Sequence, residues 1–241
     1  ADDFGDSDVE EETWSVTGRV TGLPWQSEDG NLIHLGAAAS YRNFDNTDSV
    51  LRFRERPEAH LADHRLVDTG TFGLTETGNE ELDSYALLGL EGALVYGPFS
   101  AQSEFVYSDV NTDTLNPAGI DDPSYYGYYV YGSYFITCES RVYKAAEGAF
   151  DKVKPNKNFQ ITGDGGPGAW ELALRYSHLD LDDETDGGKM DDITVGVNWY
   201  LNPNMKVMFN YVYAMVDDRT VGGINLDDDM SIVQTRMQVT W

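Results

Sequence analysis

The sequence predicts an all-β chain, an antiparallel transmembrane β-barrel of which about nine strands are present. Three observations lead there. Large apolar residues alternate with small or polar ones at a period of two, in segments of about ten residues. Clusters of Gly, Asp and Asn separate these segments, and helical periodicity is nearly absent. Connections alternate between tight turns and long polar stretches, the pattern of a barrel with short turns at one end and long loops at the other. Of the 241 residues 41% are apolar, 12% are aromatic and 24 are Gly, too much hydrophobic material for a disordered acidic tail. The chain is read as one barrel domain over 1–241.

The predicted strands follow in chain order. Segment 13–21 sets Trp14, Val16 and Val20 against Ser15, Thr17 and Arg19. Segment 32–42 opposes Ile33, Leu35, Ala37, Ala39 and Tyr41 to His34, Gly36, Ala38, Ser40 and Arg42. Segments 84–96, 100–110 and the Tyr-rich 124–137 come next. In 168–179, Trp170, Leu172, Leu174 and Tyr176 oppose Glu171, Ala173, Arg175 and Ser177. Segment 192–201 places Ile193, Val195, Val197, Trp199 and Leu201 on one face, and 205–215 does the same with Val207, Phe209, Tyr211 and Tyr213. The last segment, 231–241, alternates Val233, Thr235, Met237, Val239 and Trp241 with Gln234, Arg236, Gln238 and Thr240. Tight turns fall at Gly97-Pro98-Phe99 and Asn202-Pro203-Asn204; the polar stretches 43–83, 111–123, 180–191 and 216–229 read as long loops.

An acidic β-sandwich would alternate in the same way. Two details favour the membrane: Trp14, Tyr41, Trp170, Trp199, Tyr213 and Trp241 lie near strand ends, where interfacial girdles sit, and the chain finishes on an aromatic after alternating apolar residues. No run of about 18 apolar residues is present, so no transmembrane helix is expected. The opening Ala-Asp-Asp-Phe has neither a basic nor an apolar leader region, which suggests a mature chain or one cut from something longer.

Charge and motifs narrow the function classes. Sixteen Lys and Arg against 42 Asp and Glu give a net charge of −26, which repels phosphate backbones and argues against a nucleic-acid partner. The single cysteine, Cys138, excludes an intrachain disulfide. No nucleophile elbow, phosphate loop, zinc spacing or dinucleotide fingerprint occurs, and Gly163–Gly168 reads as a connector. The run from Asp182 resembles a calcium loop, yet its twelfth position is Ile193 where Glu is required. The chain is expected to be no enzyme and to use no metal or other cofactor.

Several segments carry a family resemblance: Gly168–Ser177, Asn198–Asn204, Gly132–Thr137 with Phe150–Pro155, Leu90–Phe99, and Arg52–Glu58. Taken in chain order they resemble the phosphate-selective porin O and P family. The resemblance implies a sixteen-stranded outer-membrane barrel that trimerises, conducts anions such as phosphate and has an arginine-lined constriction built partly from inward-folded loops. It also implies the bacterial outer membrane, with lipid and lipopolysaccharide as surroundings. Nine strands counted back from a periplasmic end would be the eighth to sixteenth. An open wall is not tolerated in lipid, so the chain is expected to be the C-terminal portion of a longer porin or to be completed by a second chain.

Within this topology 43–83 is a long loop expected to fold inward. Arg52, Arg54 and Arg56 alternate in it, so an extended backbone would send all three guanidiniums to one side; His60, His64 and Arg65 follow. Guanidinium is permanently charged and binds phosphate bidentately, which makes these residues candidate anion ligands at a constriction. The competing reading pairs them with Glu55, Glu58 and nearby Asp residues in a solvated loop. On the strands, Arg19, Arg42, Arg175, Lys206 and Arg236 face away from the apolar side and are candidate pore-lining cations, with Glu171 the only strand acid clearly directed the same way. The charge of −26 leaves a general or cation-tolerant pore open as an alternative, and so does an acidic outer-membrane scaffold.

Overall fold

A computed structural model describes residues 6–7, 14–44, 50–59, 64–73, 82–112, 122–163 and 165–241. Nine long strands form the architecture: β1 (Trp14–Gln26), β2 (Leu32–Asn43), β3 (Leu82–Tyr96), β4 (Phe99–Thr112), β5 (Ser124–Phe135), β6 (Ala169–Asp180), β7 (Gly187–Asn202), β8 (Met205–Val221) and β9 (Asp228–Val239). Each pairs antiparallel with its sequence neighbour, and β1 and β9 are the two edges of an open sheet.

Alternation selects the two faces. On the outer face Val16, Val20, Leu35, Leu88, Leu90, Leu172, Leu174, Val195, Phe209 and Val233 are all exposed, as suits strands whose solvent on that side is lipid. The core lies on the other side of the sheet, where inward-folded connections pack against the wall. Phe44, Leu51, Phe53 and Val67 of the 44–81 connection bury against Tyr85, Val110, Tyr125, Met190 and Val216 of the strands. At the opposite end Val153, from the 136–168 connection, packs with Phe135, Ala169 and Tyr200. Completely buried side chains such as Leu51 and Val67 contribute about 1.5–3 kcal/mol each towards holding the loop inside.

Three boundaries differ from the sequence expectation. Half of the 180–191 stretch and most of 216–229 are strand: β7 begins at Gly187 and β8 continues to Val221, leaving short connections. Their polarity marks height above the membrane; a strand of about 9–11 residues spans the bilayer, and the excess of the 16-residue β7 and 17-residue β8 pairs in water. The first strand likewise continues from 21 to Gln26, through a register shift between Gly22 and Trp25. Finally, the long 136–168 connection leaves from the end of the tight turns, so long connections are not confined to one end.

The tight turns are built by local chemistry. Gly30 adopts φ +83°, its N–H donates to the Ser27 carbonyl, and the Asn31 side chain accepts from the Gly97 N–H at 2.7 Å, joining two neighbouring turns.

A cation-lined inner wall with two inward-folded segments

Strand register sorts the candidate residues into rows on the inner face. Arg19, Ala38 and Gly89 share one row, and continuing across the sheet it reaches Met190 and Val216. The next contains Glu91, Glu104, Tyr129, Ser177 and Asp192. The one after that contains His34, Gln102, Tyr131, Arg175 and Thr194. Towards the tight-turn end lie Glu171, Asn198 and Arg236, then Tyr200 and Lys206. Arg42 stands near the other end beside Tyr85, its guanidinium 5.5 Å from the ring centre.

This arrangement corrects one expectation. Glu171 is not the sole acid on the inner face, because Glu91, Glu104 and Asp192 share it. Strand β3 is apolar at most positions on both sides, so alternation alone does not reveal where Glu91 points.

Two of the wall cations, Arg19 and Arg175, have carboxylate partners. Arg19 donates through Nε and Nη2 to Glu91 Oε1 at 3.1 and 2.7 Å. Glu91 also accepts from His34 Nε2 at 3.0 Å, and Tyr143 donates to His34 Nδ1. A carboxylate can only accept, which fixes His34 in its Nε2–H form when neutral. Gly36 makes room for this cluster: a Cβ there would lie 2.1 Å from Glu91 Oε1.

In the 44–81 connection, buried Leu51 and Phe53 alternate with half-buried Arg52 and Arg54. Arg52 grips Asp68 bidentately at 2.8 and 2.5 Å, and Arg65 Nη1 lies 3.9 Å from Glu55 Oε1. The Arg56 N–H donates to Glu55 Oε1 at 2.8 Å. His60 lies outside the described residues. Arg219 of β8 donates to the carbonyls of Arg65 and Leu66, tying the loop to the wall.

Arg175 lies 2.6 Å from Glu58 Oε1 and stacks 4.2 Å from the Tyr129 ring centre. Lys206 and Arg236 have no carboxylate partner among the described residues; the Lys206 amine is 5.7 Å from the Tyr200 ring centre.

Sequence reasoning missed the 136–168 segment. Arg141 reaches from it to the fully buried Glu171 at 2.9 Å and to the Tyr131 hydroxyl at 3.0 Å. Glu171 also accepts from Asn198 and Tyr200, both at 2.8 Å, so its buried charge is well compensated. On the far wall the Gly148 carbonyl accepts from Arg19 at 3.3 Å. A signal was present in composition: Arg141, Lys144, Lys152, Lys154 and Lys157 place five of the chain's sixteen basic residues within 141–157.

An inward-folded, arginine-bearing loop and a second basic insert thus lie against the inner face of a strand wall whose outer face suits lipid. Comparisons with known proteins agree. The family model described as phosphate-selective porin O and P matches residues 5–241. Porin O of Pseudomonas aeruginosa is 34% identical over 229 residues, covering 88% of this chain and 50% of that protein. An uncharacterised protein of Caulobacter vibrioides is 30% identical over 206 residues, covering 84% of this chain and 37% of its own length. The chain thus spans half or less of the length of the curated relatives it matches. It belongs to the phosphate-selective porin O and P family, a family of the bacterial outer membrane.

Proposed function

We propose that the chain is the C-terminal portion of a homotrimeric outer-membrane porin, residues 1–241 forming one stretch of barrel wall with its inward loops. It passes small anions, phosphate or polyphosphate, by passive diffusion, and it is a channel rather than an enzyme. Arg52, Arg54, Arg56 and Arg65 furnish the narrowing, while Arg19, Arg42, Arg175, Lys206 and Arg236 furnish the cations of the wall. Lipid and lipopolysaccharide surround the outer face.

The observation that carries this reading is the packing of Leu51, Phe53 and Val67 against the inner wall, which holds the arginine-bearing segment on that face of the sheet. Selection there is electrostatic: a dehydrated narrowing strengthens guanidinium–anion attraction, and it must stay weak enough for release. The paired carboxylates on the same wall favour a second reading, a general or cation-tolerant pore.

Zero-current potentials in a planar bilayer under a KCl gradient, with phosphate then titrated in, separate the two. Chloride preference with phosphate block is expected, and replacing Arg52, Arg54 and Arg56 together with Ala should reduce both. Cation preference without block would establish the second reading, and the absence of conductance would favour an acidic scaffold.

A further inference from the structure

One loop residue meets three strands at once. Glu58 Oε1 lies 2.6 Å from Arg175 and accepts from the Ser177 hydroxyl at 2.5 Å, both on β6; its Oε2 accepts from Thr194 of β7 at 2.7 Å. Its own N–H donates to Asp192 Oδ2 of β7 at 3.1 Å, and its carbonyl accepts from Gln234 of β9 at 2.9 Å. The flanking Pro57 and Ala59 are buried, so the backbone is seated on both sides of it.

The charges make this arrangement conditional. Asp192 is 1% exposed and its Oδ1 has no partner among the described residues, so two carboxylates sit together on the inner wall. Arg175 is the cation in contact with Glu58. Without it the Glu58 and Asp192 carboxylates would repel in a poorly hydrated place, and the loop carries the one that can leave.

We propose that Glu58 is the positioning residue that pins the long loop to the inner wall, and that Arg175 is its counter-charge rather than a binding rung for passing anions. The electrical part of the test rests on the anion-porin reading; the proteolytic part does not.

Trypsin added to intact cells carrying the full-length protein cuts a loop that has left the lumen after Arg52, Arg54 or Arg65, whereas Arg56 is shielded by Pro57. Glu58→Ala and Arg175→Ala should each raise cleavage by about tenfold or more, the factor expected when anchoring weakens by about 1.4 kcal/mol. Combining Glu58→Arg with Arg175→Glu should restore protection, which a purely steric role would not do. Glu58→Gln keeps one acceptor oxygen and turns the other position into an N–H donor, from which the facing Ser177 or Thr194 hydroxyl can accept, and it relieves the repulsion from Asp192, so its loop should stay protected. Its uncompensated Arg175 should lower the inorganic phosphate concentration for half-block by about threefold.

Protection persisting in Arg175→Ala together with weakened phosphate block would overturn the proposal and make Arg175 an anion ligand. Should Glu58→Ala fail to assemble, Glu58→Gln and the charge swap still decide. A wild-type channel without anion preference would end the anion reading, yet tenfold cleavage in Arg175→Ala would still support the pin.

Discussion

At the scale of single residues, the inner wall is governed by how each guanidinium is used. Asp68 illustrates the balance. Its burial pushes the carboxyl up, but the hydrogen bonds from Arg52 and the Gly70 N–H, with the charges of Arg52 and Arg219, hold it below the usual carboxylate range. A carboxylate with a depressed folded pKa adds stability that is fully present above its ordinary pKa of about 3.9 and is lost only as pH falls through the folded value. Conductance and open-channel noise attributable to this clasp should therefore hold steady from pH 7 down to about pH 4.5. At pH 7 Asp68→Asn should raise the noise, with a loss of about 1 kcal/mol or less in loop anchoring because Arg52 is partly exposed. Noise rising already between pH 6 and 5 would show that another group controls the loop.

At the scale of elements, the strands are set by alternation and their ends by backbone chemistry. Gly168 opens β6 at φ +74°, and a Cβ placed there would lie 2.4 Å from the Tyr200 carbonyl oxygen of β7. Both the left-handed backbone and the close approach require glycine. Gly168→Ala should cost about 2 kcal/mol or more, read as a lower urea midpoint for the folded barrel. An unchanged midpoint would mean that the start of β6 shifts freely. The tall β7–β8 hairpin has a different logic: its Asp-rich upper part is paired in water, where charge costs nothing, and its lower part presents Ile193, Val195, Phe209 and Tyr211 outward.

At the scale of the whole molecule, a net charge of −26 stands against an inner wall that carries several arginines and Lys206. Screening decides which field a permeating ion feels, since the Debye length is about 30 Å at 0.01 M salt and about 3 Å at 1 M. Acidic tips such as Asp182–Asp186 and Asp227–Asp229 should oppose anions only in dilute salt. Anion preference should therefore grow as KCl rises from about 0.01 to about 1 M, measured by zero-current potential at a fixed gradient ratio. A preference that falls over that range would place the selecting charges at the exposed surface instead. The open edges at β1 and β9 belong to this scale too, because unpaired strand backbone in lipid needs a partner strand.

The sequence by itself determined the strands, their order and, for most of them, which face meets lipid. A two-sided wall between lipid and water forces a period of two into the chain, as in β6 and β9, and that is a local property. It failed where the property fails: β3 is apolar on both sides, which hid Glu91, and the polar upper ends of β7 and β8 looked like loops. The candidate cations were legible as residue types on a face, but not their partners. Only the tertiary structure decided that Arg19 meets Glu91, that Arg141 meets Glu171 and that Glu58 reaches Arg175, Asp192 and Gln234. These pairs lie 30 to 176 positions apart in the chain. Coulomb attraction and hydrogen bonding act through space, and nothing in the local pattern encodes which distant carboxylate an arginine will find once the barrel wall curves and its loops fold in.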